Sequence, residues 1–148
     1  MVSSVGFLAK LLGGKGAQLR PELRAALEDE GLILIEEGLS GSVRYKKFRA
    51  PGKAFDGKIV PQTMCLAISQ ARLVVYGQSG RVKLVDSAFD NPRVGMLDVS
   101  LKDEGRLAIL VDYDKGDVPK VSGQVTIVAK TPNAAAIVEE LRARLPAG

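Results

Sequence analysis

Between Ile33 and Lys130 the chain breaks into eight short β-prone runs, and the spacing of these runs limits its folds more than any other feature. The runs are ILIEE, SVRYKKFR, TMCLAIS, RLVVYG, RVKLVD, VGMLDVSL, RLAILVDY and QVTIVAK. Connections such as SQA, QSG and KDEG are of hairpin length, so sequential strands are expected to run antiparallel. Alternation is clear in Leu107, Ile109 and Val111, and again in Val125, Ile127 and Ala129. Short strands joined by tight turns predict a sandwich or barrel rather than alternating strands and helices.

Helical patterns flank this region. PELRAALEDE begins at Pro21, a favoured first-turn residue, and stops at Gly31. TPNAAAIVEELRARL opens with Thr131 as a cap and Pro132 in the first turn, predicting a helix from Pro132 to Leu145. Its apolar stripe, Ala134, Ile137, Val138, Leu141 and Leu145, needs a sheet to cover. Two longer connections, APGKAFDGKIVPQ and DKGDVPKVS, are rich in Gly, Pro and charge, and long loops on compact domains often carry function. The expected organisation is an N-terminal helical extension over residues 1–31 and a β-rich domain over 32–148, forming one structural domain.

LAISQARLVVYG, Leu66 to Gly77, resembles the T-x-x-R-L hairpin of bacterial pleckstrin-homology-like (PH-like) and GRAM-type domains. Ser69 stands in the Thr position, and Arg72 and Leu73 match. The closing TPNAAAIVEELRARL resembles their capping helix. The resemblance covers residues 32–145. It implies an α+β fold, a PH-like antiparallel β-barrel or orthogonal sandwich of about seven strands with a C-terminal capping helix. It also implies a role in binding phosphoinositides, peptides or partner domains. Lipid-binding members carry a lysine at the end of the first strand and a basic-x-Arg pair on the second. Here Lys47-Phe48-Arg49 has the basic-x-Arg form on the first strand, and TMCLAIS has no basic residue.

The 148 residues contain no histidine and one cysteine. That removes Ser-His-Asp and Cys-His catalysis and nearly every zinc ligand set, so neither an enzyme nor a cofactor is expected. An apolar fraction of 46% with a net charge of +4 reads as a globular domain, not a dedicated DNA-binding one. No secretory signal or membrane span is expected. A cytoplasmic location follows, with peripheral membrane attachment open to it. Cys65, between Met64 and Leu66, is expected to be a buried, inert thiol.

GSVRYKKFRAPGK, Gly41 to Lys53, is the strongest candidate for chemistry. Val43 and Tyr45 share one strand face while Arg44 and Lys46 share the other. Phe48 breaks that parity, which predicts a β-bulge near Lys46 and Lys47. Arg44, Lys46, Lys47 and Arg49, with Lys53 and Lys58 on the following loop, are the candidate surface for an anionic lipid or an acidic protein. Phe7, Leu8, Leu11 and Leu12 would share one face of a short helix near Lys10 and Lys15. GGKG, Gly13 to Gly16, fails the phosphate-loop pattern because Ala9 replaces its first glycine and Gly16 its Ser or Thr. DYDKGD, Asp112 to Asp117, fails the calcium-loop pattern at Gly116, Asp117 and Gly123. EDEG with Glu36 and Glu37 forms an acidic counterpart suited to self-association or partner docking.

These features predict a non-catalytic binding or adaptor module. A protein partner or self-association is expected, a peripheral anionic membrane is a second option, and nucleic acid is not expected. Two alternatives stay open: an apolar protein-interaction or self-assembly domain, and a small-molecule carrier or enzyme with a barrel-mouth pocket.

Overall fold

The computed structural model describes residues 18–146. Helix α1, Pro21–Asp29, opens the described chain. Strands β1, Leu32–Ala50, and β2, Lys53–Phe55, follow it. Next come β3, Ile59–Ser69, β4, Arg72–Gly77, and β5, Val82–Ala88. After a 3₁₀ turn at Pro92–Met96 the chain forms β6, Leu97–Asp103, and β7, Arg106–Asp112. A second such turn, Tyr113–Lys115, leads to β8, Ser122–Lys130, and the closing helix α2, Ala134–Arg144. The hydrogen-bonded order is β5-β4-β3-β1-β8-β7-β6, with β2 beside β1. The expected α+β architecture of seven principal antiparallel strands and a C-terminal helix is therefore present.

Backbone packing groups these elements into two compact units. The first joins the described residues up to Ser40 with Gln62–Asp90. It holds α1, the first half of β1, most of β3, and the hairpin of β4 and β5. Pro21 starts α1 because a first-turn residue needs no N–H partner. Gly31, at φ +85°, ends it in the left-handed region, and its carbonyl accepts from Gln70 N at 2.9 Å. Leu19 and Leu27 pack with Ile35, Cys65, Ala67 and Val74, flanked by Leu23, Leu32 and Tyr76. From Met64 to Ser69 every residue of β3 is buried, as a strand covered on both faces requires.

Ser69 and Arg72 lie in this unit and tie its parts together. The Ser69 hydroxyl accepts from Ala71 N and Arg72 N, both at 3.1 Å, shaping the β3–β4 turn. It donates to Glu30 Oε1 at 2.9 Å. The Arg72 guanidinium grips both oxygens of Glu30, at 3.0 and 2.9 Å, and reaches Asp86 on β5 at 2.9 Å. The end of α1, the β3–β4 turn and β5 are thus clamped by one fork.

The second unit joins Gly41–Pro61 with the described residues from Asn91. It holds the second half of β1, β2, β6, β7, β8 and α2. Val43, Val125, Ile127, Ala129, Leu107, Ile109, Val111, Leu97 and Val99 alternate onto one buried face. Helix α2 packs on β6 and β7, burying Ala134, Ile137, Val138 and Leu141.

Four expectations about elements need correction. ILIEE and SVRYKKFR are one continuous 19-residue strand. Gly38, at φ +70°, absorbs the irregularity within the strand, and no turn forms at GLSG. The connection APGKAFDGKIVPQ is not a bare loop, because Lys53–Phe55 returns to pair with Phe48, Arg49 and Ala50. Val94, Gly95 and Met96 belong to a 3₁₀ turn rather than to β6. Helix α2 starts at Ala134 and not Pro132, since the Thr131 hydroxyl accepts from Asn133 N at 3.1 Å ahead of the first helical turn. The expected helix near Phe7, Leu8, Leu11 and Leu12 and the GGKG segment lie outside the described residues. Among the described residues no helix is long and apolar enough to cross a membrane.

Candidate functional site: a bulged basic strand

The bulge expected from the position of Phe48 lies where β1 pairs with β8. Lys46 opposes Gln124 and Arg49 opposes Ser122, so β1 carries one residue more than its partner. Lys47 takes up the excess at φ +49°, a left-handed conformation uncommon for any residue but glycine. Two contacts hold it there. Its N–H donates to Asp56 Oδ1 at 3.1 Å. Its carbonyl lies against Gly123, φ +90°, so closely that any side chain at Gly123 would collide with it.

The residues of DYDKGD support this bulge. Asp114 Oδ1 accepts from Gly123 N at 3.0 Å. Asp112 Oδ1 accepts from Asp114 N at 3.1 Å, and its Oδ2 accepts from the Gln124 amide at 3.2 Å. Both carboxylates are committed to Gly123 and Gln124 at the start of β8.

The bulge sorts the candidate side chains between two faces. Because one residue is extra, Phe48 returns to the side of Tyr45, their ring centroids 5.3 Å apart. Phe55 joins them, 5.0 Å from Tyr45 and 6.3 Å from Phe48, and Tyr113 closes the group at 5.8 Å from Phe48. Burial, then the neighbouring Tyr45, pushes the Tyr113 phenol above its usual range, so it stays a neutral hydrogen-bonding group. These rings are half-buried, so the cluster is neither sealed core nor exposed surface.

Arg44, Lys46 and Arg49 line the other face. Across the seam on β8 they meet Thr126, Gln124 and Ser122, all neutral hydrogen-bonding residues. Lys53 and Lys58 fall on the aromatic side. Lys53 is two residues from Phe55, and Lys58 Nζ sits 4.2 Å from the Phe55 ring centroid. All six predicted cations are exposed, yet they form a row of three, a pair on the opposite side, and Lys47 at the bulge between them.

Gly41 to Pro61 holds these six cations and one acid, Asp56, an excess of five charges against +4 for the whole chain. Among the described residues, the ion pairs are made by Arg24, Arg72, Arg106 and Arg144, none of them in this segment. Of the acidic counterpart expected from EDEG, Glu36 and Glu37, three carboxylates are engaged within the fold. Glu28 pairs with Arg24 at 3.3 Å, and Glu30 is held by Arg72. Glu37 accepts from Leu19 N at 3.0 Å and lies 3.6 Å from Arg24.

No family model, curated protein or solved structure matches the chain.

Two other features of chemical interest lie away from the basic strand. Cys65 is fully buried, and burial, then the Glu37 carboxylate, raises its thiol to about 12, which suppresses the reactive thiolate. In the second unit an open cavity of about 600 Å³ lies between β6 and the end of α2, lined by Leu97, Val99, Lys115, Arg142, Leu145 and Pro146 among others. Sequence reasoning found the cations and the bulge. It did not find Asp56, Asp114 or Gly123, whose roles depend on segments that meet only in the fold.

Proposed function

We propose that the chain is a non-catalytic, PH-like binding module of the cytoplasm, and that its second unit attaches to an anionic membrane surface through β1 and the β1–β2 hairpin. The observation that carries this reading is the two-sided distribution of six exposed cations without internal ion pairs. A selective phosphate site needs donors that converge on one point. Here the row of Arg44, Lys46 and Arg49 and the pair of Lys53 and Lys58 point to opposite sides. Such a layout suits a broad field of negative charge, to which each cation contributes about 1 kcal/mol. Ile59, half exposed beside Lys58, adds an aliphatic contact suited to the headgroup boundary.

The test is co-sedimentation with vesicles of neutral lipid alone and of neutral lipid mixed with phosphatidylserine. Binding is expected only to the anionic vesicles and is expected to weaken steeply with salt. Removing two cations, Arg44→Ala with Lys46→Ala, should weaken it about thirtyfold. Equal binding to both vesicle types, or none to either, overturns the reading. In the second case an acidic protein partner becomes the surface's remaining use.

The open cavity beside α2 favours a second reading, carriage of a small amphipathic acid held by Lys115 and Arg142. Its volume is in the range of small-molecule pockets. Native mass spectrometry of the purified protein tests it, and only the apo mass would argue against it.

A further inference from the structure

The cavity of the second unit lies where β6, the two 3₁₀ turns and the chain leaving α2 meet. Pro146 disfavours a helical backbone at the residue before it, and Leu145 is extended, at φ −83° and ψ 150°. Helix α2 therefore stops at Arg144, and Leu145 and Pro146 become cavity wall instead of another helical turn. Leu97 and Val99, both buried, add apolar wall from β6. Among the described residues the lining holds no aromatic ring, no hydroxyl and no amide side chain. Its charged members are Lys115 from the second 3₁₀ turn, Arg142 from α2 and Asp98 from β6. Among the described residues none of the three makes an ion pair, so two cations and one acid leave the lining a net charge of +1. Arg142 Nε donates to the Val99 carbonyl at 3.3 Å, which orients the guanidinium and leaves its two terminal nitrogens to meet an acceptor.

We infer that the cavity takes an aliphatic monocarboxylate, its carboxylate on the Arg142 fork beside Lys115 and its tail along Leu97, Val99, Leu145 and Pro146. This rests on the second reading, that the cavity carries a small acid, and it fixes which class of acid the cavity takes. Three features select the class. A planar carboxylate matches the paired N–H groups of a guanidinium, which a lysine alone would not discriminate. One negative charge offsets the net +1 of the lining, whereas a phosphate monoester or a dicarboxylate brings a second charge into a space that also holds Asp98. The walls are aliphatic, offering no ring for an aromatic ligand to stack on and no hydroxyl or amide for the hydroxyls of a sugar. None of the six cations of the basic strand takes part.

Titrating the protein with simple acids, read by the shifts of its backbone amides, tests the assignment. Hexanoate should move the amides of Val99, Lys115, Arg142 and Leu145, and should bind more tightly than adipate or hexyl phosphate. Across butanoate, hexanoate and octanoate, affinity should rise about fourfold for each methylene added. Arg142 is exposed, so Arg142→Gln should fold normally, and it should weaken hexanoate about tenfold or more. Gly95 also lines the cavity, and a side chain built on it meets no atom within 4 Å. Gly95→Leu should therefore keep the native melting midpoint and weaken hexanoate by filling the space. Adipate or hexyl phosphate binding there as tightly as hexanoate overturns the inference and leaves the cavity a carrier of some other acid. So does an affinity that ignores chain length or the loss of Arg142. If none of these acids moves the cavity amides, the carrier reading falls together with the inference.

Discussion

Single residues decide whether the basic strand exists as described. Lys47 holds a left-handed backbone that costs about 1–3 kcal/mol unless its surroundings impose it, and Gly123 and Asp56 do so. Gly123→Ala should destabilise the chain by about that amount, seen as a lower midpoint in urea. Asp56→Asn keeps an acceptor for the Lys47 N–H and should preserve the bulge, whereas Asp56→Ala should loosen it, visible in the amide shifts of Lys46 to Arg49. Glu30 makes a separate prediction. Its hydrogen bond with Arg72, aided by Ser69, holds its carboxyl below the usual 4.5 against the opposing effect of burial. A lowered folded value means the proton binds more tightly to the unfolded chain. The clamp's contribution is therefore fully present above about 4.5 and is lost as pH falls through the lower folded value. Thermal melts should show wild type losing stability on acidification below that point, and Glu30→Gln should lack that share of the slope.

At the scale of elements, α1 and β1 illustrate different degrees of legibility. Helix α1 was readable end to end because Pro21 and Gly31 act locally, through a missing N–H and a left-handed φ. The sequence pattern divides β1 into two strands. The glycines of GLSG satisfy a turn and a strand irregularity equally well, and only its partners on either side decide between them. The β1–β2 hairpin is not legible in the sequence, since the three residues of Lys53–Phe55 carry too little periodicity to announce a strand. Beneath α1 lies Cys65, so its thiol reports on whether the helix stays docked. Ellman's reagent should leave the native protein unlabelled and titrate one thiol per chain in urea. Rapid labelling without denaturant would mean that α1 opens freely.

For the whole molecule the issue is how its charge is distributed. A net +4 is unremarkable, but the segment Gly41 to Pro61 carries more than that excess by itself, and the remaining chain is close to neutral. Raising ionic strength should therefore weaken binding to anionic vesicles while leaving the midpoint of unfolding nearly unchanged, because the ion pairs that stabilise the fold lie elsewhere. Equal loss of both would mean that the cations stabilise the fold rather than face a partner. Local chemistry in the sequence by itself determined the antiparallel succession of strands, both helices, the exclusion of histidine-dependent catalysis and the need for a bulge before Phe48. Those follow from periodicity, from turn residues and from what side chains can do, none of which needs a distant neighbour. The tertiary structure alone decided that Asp56, Asp114 and Gly123 hold that bulge and that the six cations divide between two faces. It also committed Glu30 and Glu37 to partners within the fold. Each of these depends on residues far apart in sequence meeting at distances near 3 Å, and the spacing of residues along a chain does not encode which strands will pair.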